Sequence, residues 1–126
     1  MNLFRVGLIT LDGTDMETPD RYHFHTYPIR DEVNGWLKLG YYIVYISERE
    51  IGYREDISER TLELTNQPSR LYMTREYPGD ILSQKKAILD LCRSPVHNYP
   101  ILFAVDTSPI ARKMYWEAGV PAFPLR

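Results

Sequence analysis

The sequence predicts an α/β fold, a three-layer sandwich in which helices cover both faces of a parallel sheet. Three observations carry this reading. Strand-like and helix-like segments alternate along the chain, the order expected of a parallel sheet. The strands are short, almost continuous apolar runs, as strands buried on both faces must be. Polar residues follow each run, at the ends where open α/β sheets bind ligands. The 126 residues suit a single domain spanning 1–126, large enough for a real core.

Leu3 to Thr10 is the first strand, with Val6, Leu8 and Ile9 apolar, and it runs into a tight Asp12-Gly13 turn. A polar, acidic loop (Asp12, Asp15, Glu17, Asp20) follows, passing through Thr18-Pro19-Asp20. Ile29 to Leu39 places Ile29, Val33, Trp36 and Leu37 at helical spacing and stops at Gly40, a helix C-terminal signal. Tyr41 to Ile46 is a β-branched and aromatic run typical of a central strand. Residues 55–66 form a charged-faced helix ended by Pro68, and Arg70 to Thr74 a short strand. Ile81 to Leu91 is a helix, Pro100 to Val105 a buried strand, and Ile110 to Ala118 a helix closing at Gly119. Val120 to Leu125 is a final strand whose Pro121 and Pro124 confine it to a sheet edge.

Fifteen Lys and Arg against seventeen Asp and Glu give a net charge of −2, which excludes a generally basic nucleic-acid coat and leaves room for a local basic site. Cys92 is the single cysteine, so an internal disulfide and a paired-cysteine metal site are excluded, and its place beside Ile88, Leu89 and Leu91 reads as core. Arg5 and Asp12 interrupt any early apolar run and no 18-residue apolar stretch exists; the expectation is a cytoplasmic protein with no membrane partner.

The strand ends bring together Thr10, Asp12, Gly13 and Thr14 after the first strand and Ser47, Glu48 and Arg49 after the second. Thr74 and Arg75 follow the third, and Asp106, Thr107 and Ser108 the fourth. Hydroxyls, carboxylates and arginines converging on one edge are what a phosphate-and-cation site requires. His23 and His25 flank Phe24 with a spacing that a transition metal could use, although surface histidines around a buried Phe24 are the simpler reading. Arg49, Arg54, Arg60, Arg70 and Arg75 could follow a phosphate backbone. The interleaved Glu50, Glu55, Asp56, Glu59 and Glu63 argue for solvated ion pairs at most of them, with Arg49 and Arg75 set apart by following strands. Tyr41, Tyr42, Tyr45 and Tyr53 could stack on bases or pack the core.

These residues resemble a known family over nearly the whole chain. The segment Thr10-Leu11-Asp12-Gly13-Thr14 is similar to the Asp-x-Asp-Gly-Thr motif of haloacid-dehalogenase-type phosphatases, with Thr10 at the first Asp. Ile46-Ser47-Glu48-Arg49 resembles a strand ending in Ser-Gly-Arg, found in the phosphatase domain of polynucleotide kinase-phosphatases. Tyr72-Met73-Thr74-Arg75, Asp80 and Lys85-Lys86 resemble that branch's Met-Arg, Asp and Lys run, and Asp106-Thr107 falls where a pair of acidic residues is usual. Met114 to Val120 resembles the closing helix and its exit. The resemblance implies a Rossmann-like core of haloacid-dehalogenase type; the short distance from the first strand to the next helix leaves no room for a large cap.

By motif position, the resemblance makes Asp12 the general acid/base, Ser47 the donor to the phosphoryl oxygens and Asp106 a metal ligand. Lys85 is the preferred cation at the phosphoryl group, with Lys86 as the neighbouring choice. Gly13, Thr14, Arg49 and Arg75 complete the phosphate-binding set. Asp12 and Asp106 would hold Mg²⁺ weakly. Thr10 breaks the pattern, since an aliphatic hydroxyl is protonated at neutral pH, needs an adjacent base to attack phosphorus and brings no charge to a cation. A frame shifted by two residues would make Asp12 the nucleophile and Thr14 its partner, because such a shift keeps the same side of the strand.

Three functions follow. The leading one is a catalytically impaired phosphatase-fold protein that binds a phosphorylated small molecule, a nucleic-acid end or a protein partner. The second is a working Mg²⁺-dependent phosphatase on nucleotide or polynucleotide ends, acting through Asp12. The third is a structural module without a site.

Overall fold

The computed structural model describes residues 5–11, 33–65 and 70–124. Five parallel strands form one sheet: β1 (Arg5–Thr10), β2 (Tyr41–Ser47), β3 (Arg70–Met73), β4 (Ile101–Val105) and β5 (Ala122–Phe123), in the order β3-β2-β1-β4-β5. The helices are α1 (described over 33–38), α2 (Arg54–Thr65), α3 (Ile81–Arg93) and α4 (Pro109–Glu117). The α/β class, the all-parallel sheet and the helical cover expected from the sequence are all present. Among the described residues no helix is long and apolar enough to cross a membrane.

The sheet separates two cores because successive strand residues point to opposite faces. Val6 and Leu8 of β1 join Val44 and Ile46 of β2 on one face, under Ile88, Leu89 and Cys92 of α3 and Ala111 and Tyr115 of α4. Ile9 and Leu11 join Ile43 and Tyr45 on the other, with Val33 of α1 and Ile57 of α2. Gly40 and Gly119 have φ of 89° and 82°, the left-handed conformation that ends helices and that glycine adopts without strain. Asp80 caps α3 by accepting from the Ser83 N–H at 2.8 Å, and this bond holds its carboxyl below the ordinary value.

Two expected elements are shorter than their patterns. Strand β3 stops at Met73, because Thr74 opens a 3₁₀ turn in which the Tyr77 N–H bonds to the Thr74 carbonyl at 3.0 Å. The last strand spans only Ala122–Phe123, not Val120 to Leu125. Pro121 still accepts from the Ala104 N–H, but neither proline flanking β5 has an N–H to extend the ladder. Its edge position is as expected.

Tyr41, Tyr42 and Tyr45 of β2, and Tyr53 beyond it, all make packing contacts. Tyr45 is fully buried, and burial raises its phenol well above the ordinary value. Tyr41 meets Phe103 edge-on at 5.3 Å, Tyr42 tilts against Tyr99 at 5.8 Å, and Tyr53 packs on the α1–α2 side of the sheet. Cys92 is buried as expected, and desolvation pushes its thiol up to about 11, so it stays protonated and unreactive at neutral pH.

One contact sets the spacing of β1 and β4. Gly7 pairs with Phe103, whose ring covers it and is itself held by Trp36 at 4.9 Å. A Cβ on Gly7 would lie 2.4 Å from the Phe103 Cζ. Gly7→Ala is therefore expected to lower stability by roughly 1–3 kcal/mol in urea unfolding, and Phe103→Leu in the same chain to recover part of the loss. A Gly7→Ala protein as stable as the parent would refute this packing.

Candidate functional site

Among the described residues, the carboxyl ends of β1, β2 and β4 bring together charged and hydroxyl groups. Thr10 ends β1 and shares the face of Val6 and Leu8, which α3 and α4 cover. On α3 the buried positions are Lys85, Ile88, Leu89 and Cys92, the i, i+3, i+4, i+7 stripe of an amphipathic helix. Lys85 thus takes the first place of an apolar stripe and projects its ammonium to the end of the sheet. It is 1% exposed, so its charge has to be met by protein groups.

Two carboxylates meet it. The Lys85 Nζ donates to Asp106 Oδ2 at 2.6 Å and lies 3.0 Å from Glu48 Oε2. Asp106, also 1% exposed, stands directly after β4. Its Oδ2 accepts in addition from the Thr10 hydroxyl at 3.0 Å, and its Oδ1 from the Ser108 N–H at 2.9 Å. Ser108 caps α4, and the Arg112 guanidinium donates to the Asp106 and Thr107 carbonyls at 2.9 Å each. The loop that presents Asp106 is thereby tied to α4 at several points. These three groups, one ammonium and two carboxylates, carry a net charge of −1.

The rim is built from the ends of β2 and β3. Ser47 is fully buried, and its hydroxyl oxygen accepts from the Arg49 N–H at 3.1 Å, folding the turn after β2 back on itself. The Arg75 Nε donates to the Glu48 carbonyl at 3.0 Å, fixing the backbone that carries Glu48. Beside it lies a cleft of about 360 Å³ lined by Glu48, Thr74, Arg75, Gly79, Ile81 and Gln84. The Thr74 hydroxyl at this cleft is buried without a hydrogen-bond partner among the described residues, which is costly unless something else supplies one.

Of the residues singled out from sequence, Thr10, Ser47, Arg49, Arg75, Lys85 and Asp106 lie at this edge. Lys86 does not: it is turned about 100° from Lys85 on the helix and pairs with Asp90 at 2.6 Å on the exposed side, which corrects its place in the phosphate-binding set. Arg54 pairs across to Glu76, not along its own helix. Asp12, Gly13, Thr14, His23 and His25 lie outside the described residues. Sequence reasoning put Glu48 at this edge but gave it no role, which only its contact with Lys85 reveals. It likewise placed Thr74 at this edge, but no pattern of residue types announces that its hydroxyl is buried without a partner among the described residues.

The arrangement constrains its chemistry. The Thr10 hydroxyl donates to Asp106 Oδ2, and the same oxygen accepts from the Lys85 ammonium. Of the two expected Mg²⁺ ligands, Asp12 lies outside the described residues and Asp106 is already engaged. Asp106 Oδ2 faces two proton donors, one of them cationic, where a divalent ion needs free carboxylate oxygens and keeps several waters.

No protein-family model and no curated protein sequence matches the chain. Among solved structures it is similar to a chain in the structure of the Pnkp1/Rnl/Hen1 RNA repair complex, with 25% sequence identity and a TM-score of 0.65. The match covers 97% of this chain and 42% of that chain, so the protein spans less than half the length of its structural neighbour.

The buried and surface lysines make opposite predictions. Lys85→Ala strands the buried Asp106 without its cation and is expected to cost about 3–5 kcal/mol in chemical denaturation. Lys86→Ala is expected to stay within about 0.5 kcal/mol of the parent. Equal effects of the two would contradict the assignment of Lys85 to the cluster.

Proposed function

We propose that the protein is a degenerate haloacid-dehalogenase-like phosphatase domain, of the polynucleotide kinase-phosphatase type, that holds a phosphorylated nucleic-acid end without turning it over. The observation that carries this reading is Thr10 at the end of β1, its hydroxyl donating to an Asp106 that Lys85 already holds. A phosphoryl-transfer nucleophile at this place needs a free, negatively charged oxygen or a strong base beside it, and among the described residues Thr10 has neither. Enzymes of this kind lower barriers by roughly 8–23 kcal/mol, and the loss of a nucleophile removes several of those.

The rest of the edge is suited to holding a ligand. Arg75 is exposed beside the cleft, with Arg49 on the turn after β2, and guanidinium groups match phosphate geometry. The unpartnered Thr74 hydroxyl and the Gln84 at the same cleft offer polar contacts to the group that carries the phosphate. The neighbour's membership of an RNA repair complex favours a nucleic-acid end over a free metabolite as that group.

The test is a panel of RNA and DNA oligonucleotides with 3′-phosphate, 5′-phosphate or hydroxyl ends, read by fluorescence anisotropy and by phosphate release. Phosphorylated ends are expected to bind more tightly than hydroxyl ends, with no phosphate released, and Arg75→Ala to weaken that binding about tenfold. Phosphate release abolished by Asp12→Ala would overturn the loss of turnover and make Asp12 the centre of a rearranged enzyme. Equal binding of phosphorylated and hydroxyl ends would overturn the ligand assignment.

A further inference from the structure

The Lys85 ammonium and the Mg²⁺ expected at this edge would both answer to Asp106, and four features of the cluster bear on whether both can be there. The ammonium lies 2.6 Å from Asp106 Oδ2 and 3.0 Å from Glu48 Oε2, so the two carboxylates that the described residues bring to this place already share one cation. Lys85 has no alternative acceptor on its own stripe of α3, where Ile88, Leu89 and Cys92 are apolar and buried. Leaving Asp106 would therefore leave the ammonium unpaired inside the protein, which is strongly unfavourable. Thr10 turns its proton, not a lone pair, toward Asp106, so the third group at the carboxylate is also arranged for an anion and not for a metal. Finally, Glu48 occupies the place at which the resembling motif has glycine. It returns to Lys85 a carboxylate in a chain whose Thr10 has replaced one.

We infer that Lys85 is the resident cation of this site: its ammonium and a divalent ion are mutually exclusive occupants of the Asp106–Glu48 pair, and ligand binding needs no magnesium. The last clause rests on the proposed binding of phosphorylated ends; the exclusivity does not. Charge balance gives the inference its direction. With Lys85 present the three groups sum to −1, and a divalent ion would have to displace an ammonium already at hydrogen-bond distance. With the ammonium removed they sum to −2, and Mg²⁺ neutralises the pair.

The experiment uses the parent chain, Lys85→Met and Asp106→Asn, each unfolded thermally in EDTA and in Mg²⁺, together with binding of a 3′-phosphorylated RNA oligonucleotide under both conditions. The parent is expected to melt at the same temperature in both, and to bind the oligonucleotide with affinities within about twofold of each other. Lys85→Met is expected to melt lower than the parent in EDTA and to be raised by Mg²⁺. A parent stabilised by Mg²⁺, with the shift abolished in Asp106→Asn, would overturn the inference. So would oligonucleotide binding that appears only with Mg²⁺, and in that case the proposed function survives. Binding in neither condition, with Lys85→Met still raised by Mg²⁺, would support the resident cation and remove the proposed ligand. Should Lys85→Met fail to fold, Mn²⁺ titration of the parent followed by electron paramagnetic resonance decides. Bound Mn²⁺ that disappears in Asp106→Asn overturns the inference, and no Asp106-dependent Mn²⁺ supports it.

Discussion

An ammonium taken out of water must be met by carboxylates at hydrogen-bond distance, and Lys85 imposes that requirement on the carboxyl edge of this sheet. Meeting it involves three strands and a helix. Helix α3 must lie across β1 so that the buried stripe beginning at Lys85 faces Val6 and Leu8. Strand β4 must end at Asp106, and β2 must lead into Glu48, on the same side of the sheet. The order β3-β2-β1-β4-β5 does this by setting β2 and β4 on either side of β1. The secondary bonds follow from the pair. Ser108 and Arg112 hold the Asp106 loop against α4, Arg75 holds the Glu48 backbone, and Thr10 supplies the remaining donor to Asp106.

The same cluster relates the protein's structure to its proposed activity. In the motif that residues 10–14 resemble, the end of the first strand carries a carboxylate and the turn after the second carries glycine. Here the carboxylate is missing from the first place and present at the second, as Thr10 and Glu48. The ammonium keeps two counter-charges, but their geometry changes. The end of β1 is now a neutral hydroxyl that donates its proton, and the second carboxylate stands at the rim, 16% exposed, beside the cleft. This arrangement is the ground for the proposed binding without turnover: the described rim keeps arginines and the Thr74 hydroxyl beside the cleft.

Much of this was legible in the sequence, for physical reasons that differ by element. The strands could be read because burial on both faces demands continuous apolar runs, and the helix ends because Gly40 and Gly119 take a conformation other residues avoid. The convergence of Thr10, Ser47, Arg75 and Asp106 on one edge followed from parallel strands alone. The choice between Lys85 and Lys86 was also within reach, since only Lys85 is in phase with Ile88, Leu89 and Cys92. The role of Glu48 was not, because a charged residue after a strand is usually solvated and only the three-dimensional partner distinguishes it. Nor was the shortness of β5 visible from apolar content, although its two prolines set the limit once the missing N–H groups are counted.

The most direct test of this account is to observe the Lys85 ammonium itself by nuclear magnetic resonance of the lysine side-chain nitrogens, at neutral pH and without metal. Lys38, Lys86 and Lys113 are exposed, so their ammonium protons exchange rapidly with water. The account predicts one additional resonance, from a charged and buried –NH₃⁺ protected from exchange, that loses its protection in Asp106→Asn. Four lysine side chains all exchanging at the rate of free lysine, or a Lys85 signal with the shift of a neutral amine, would contradict it.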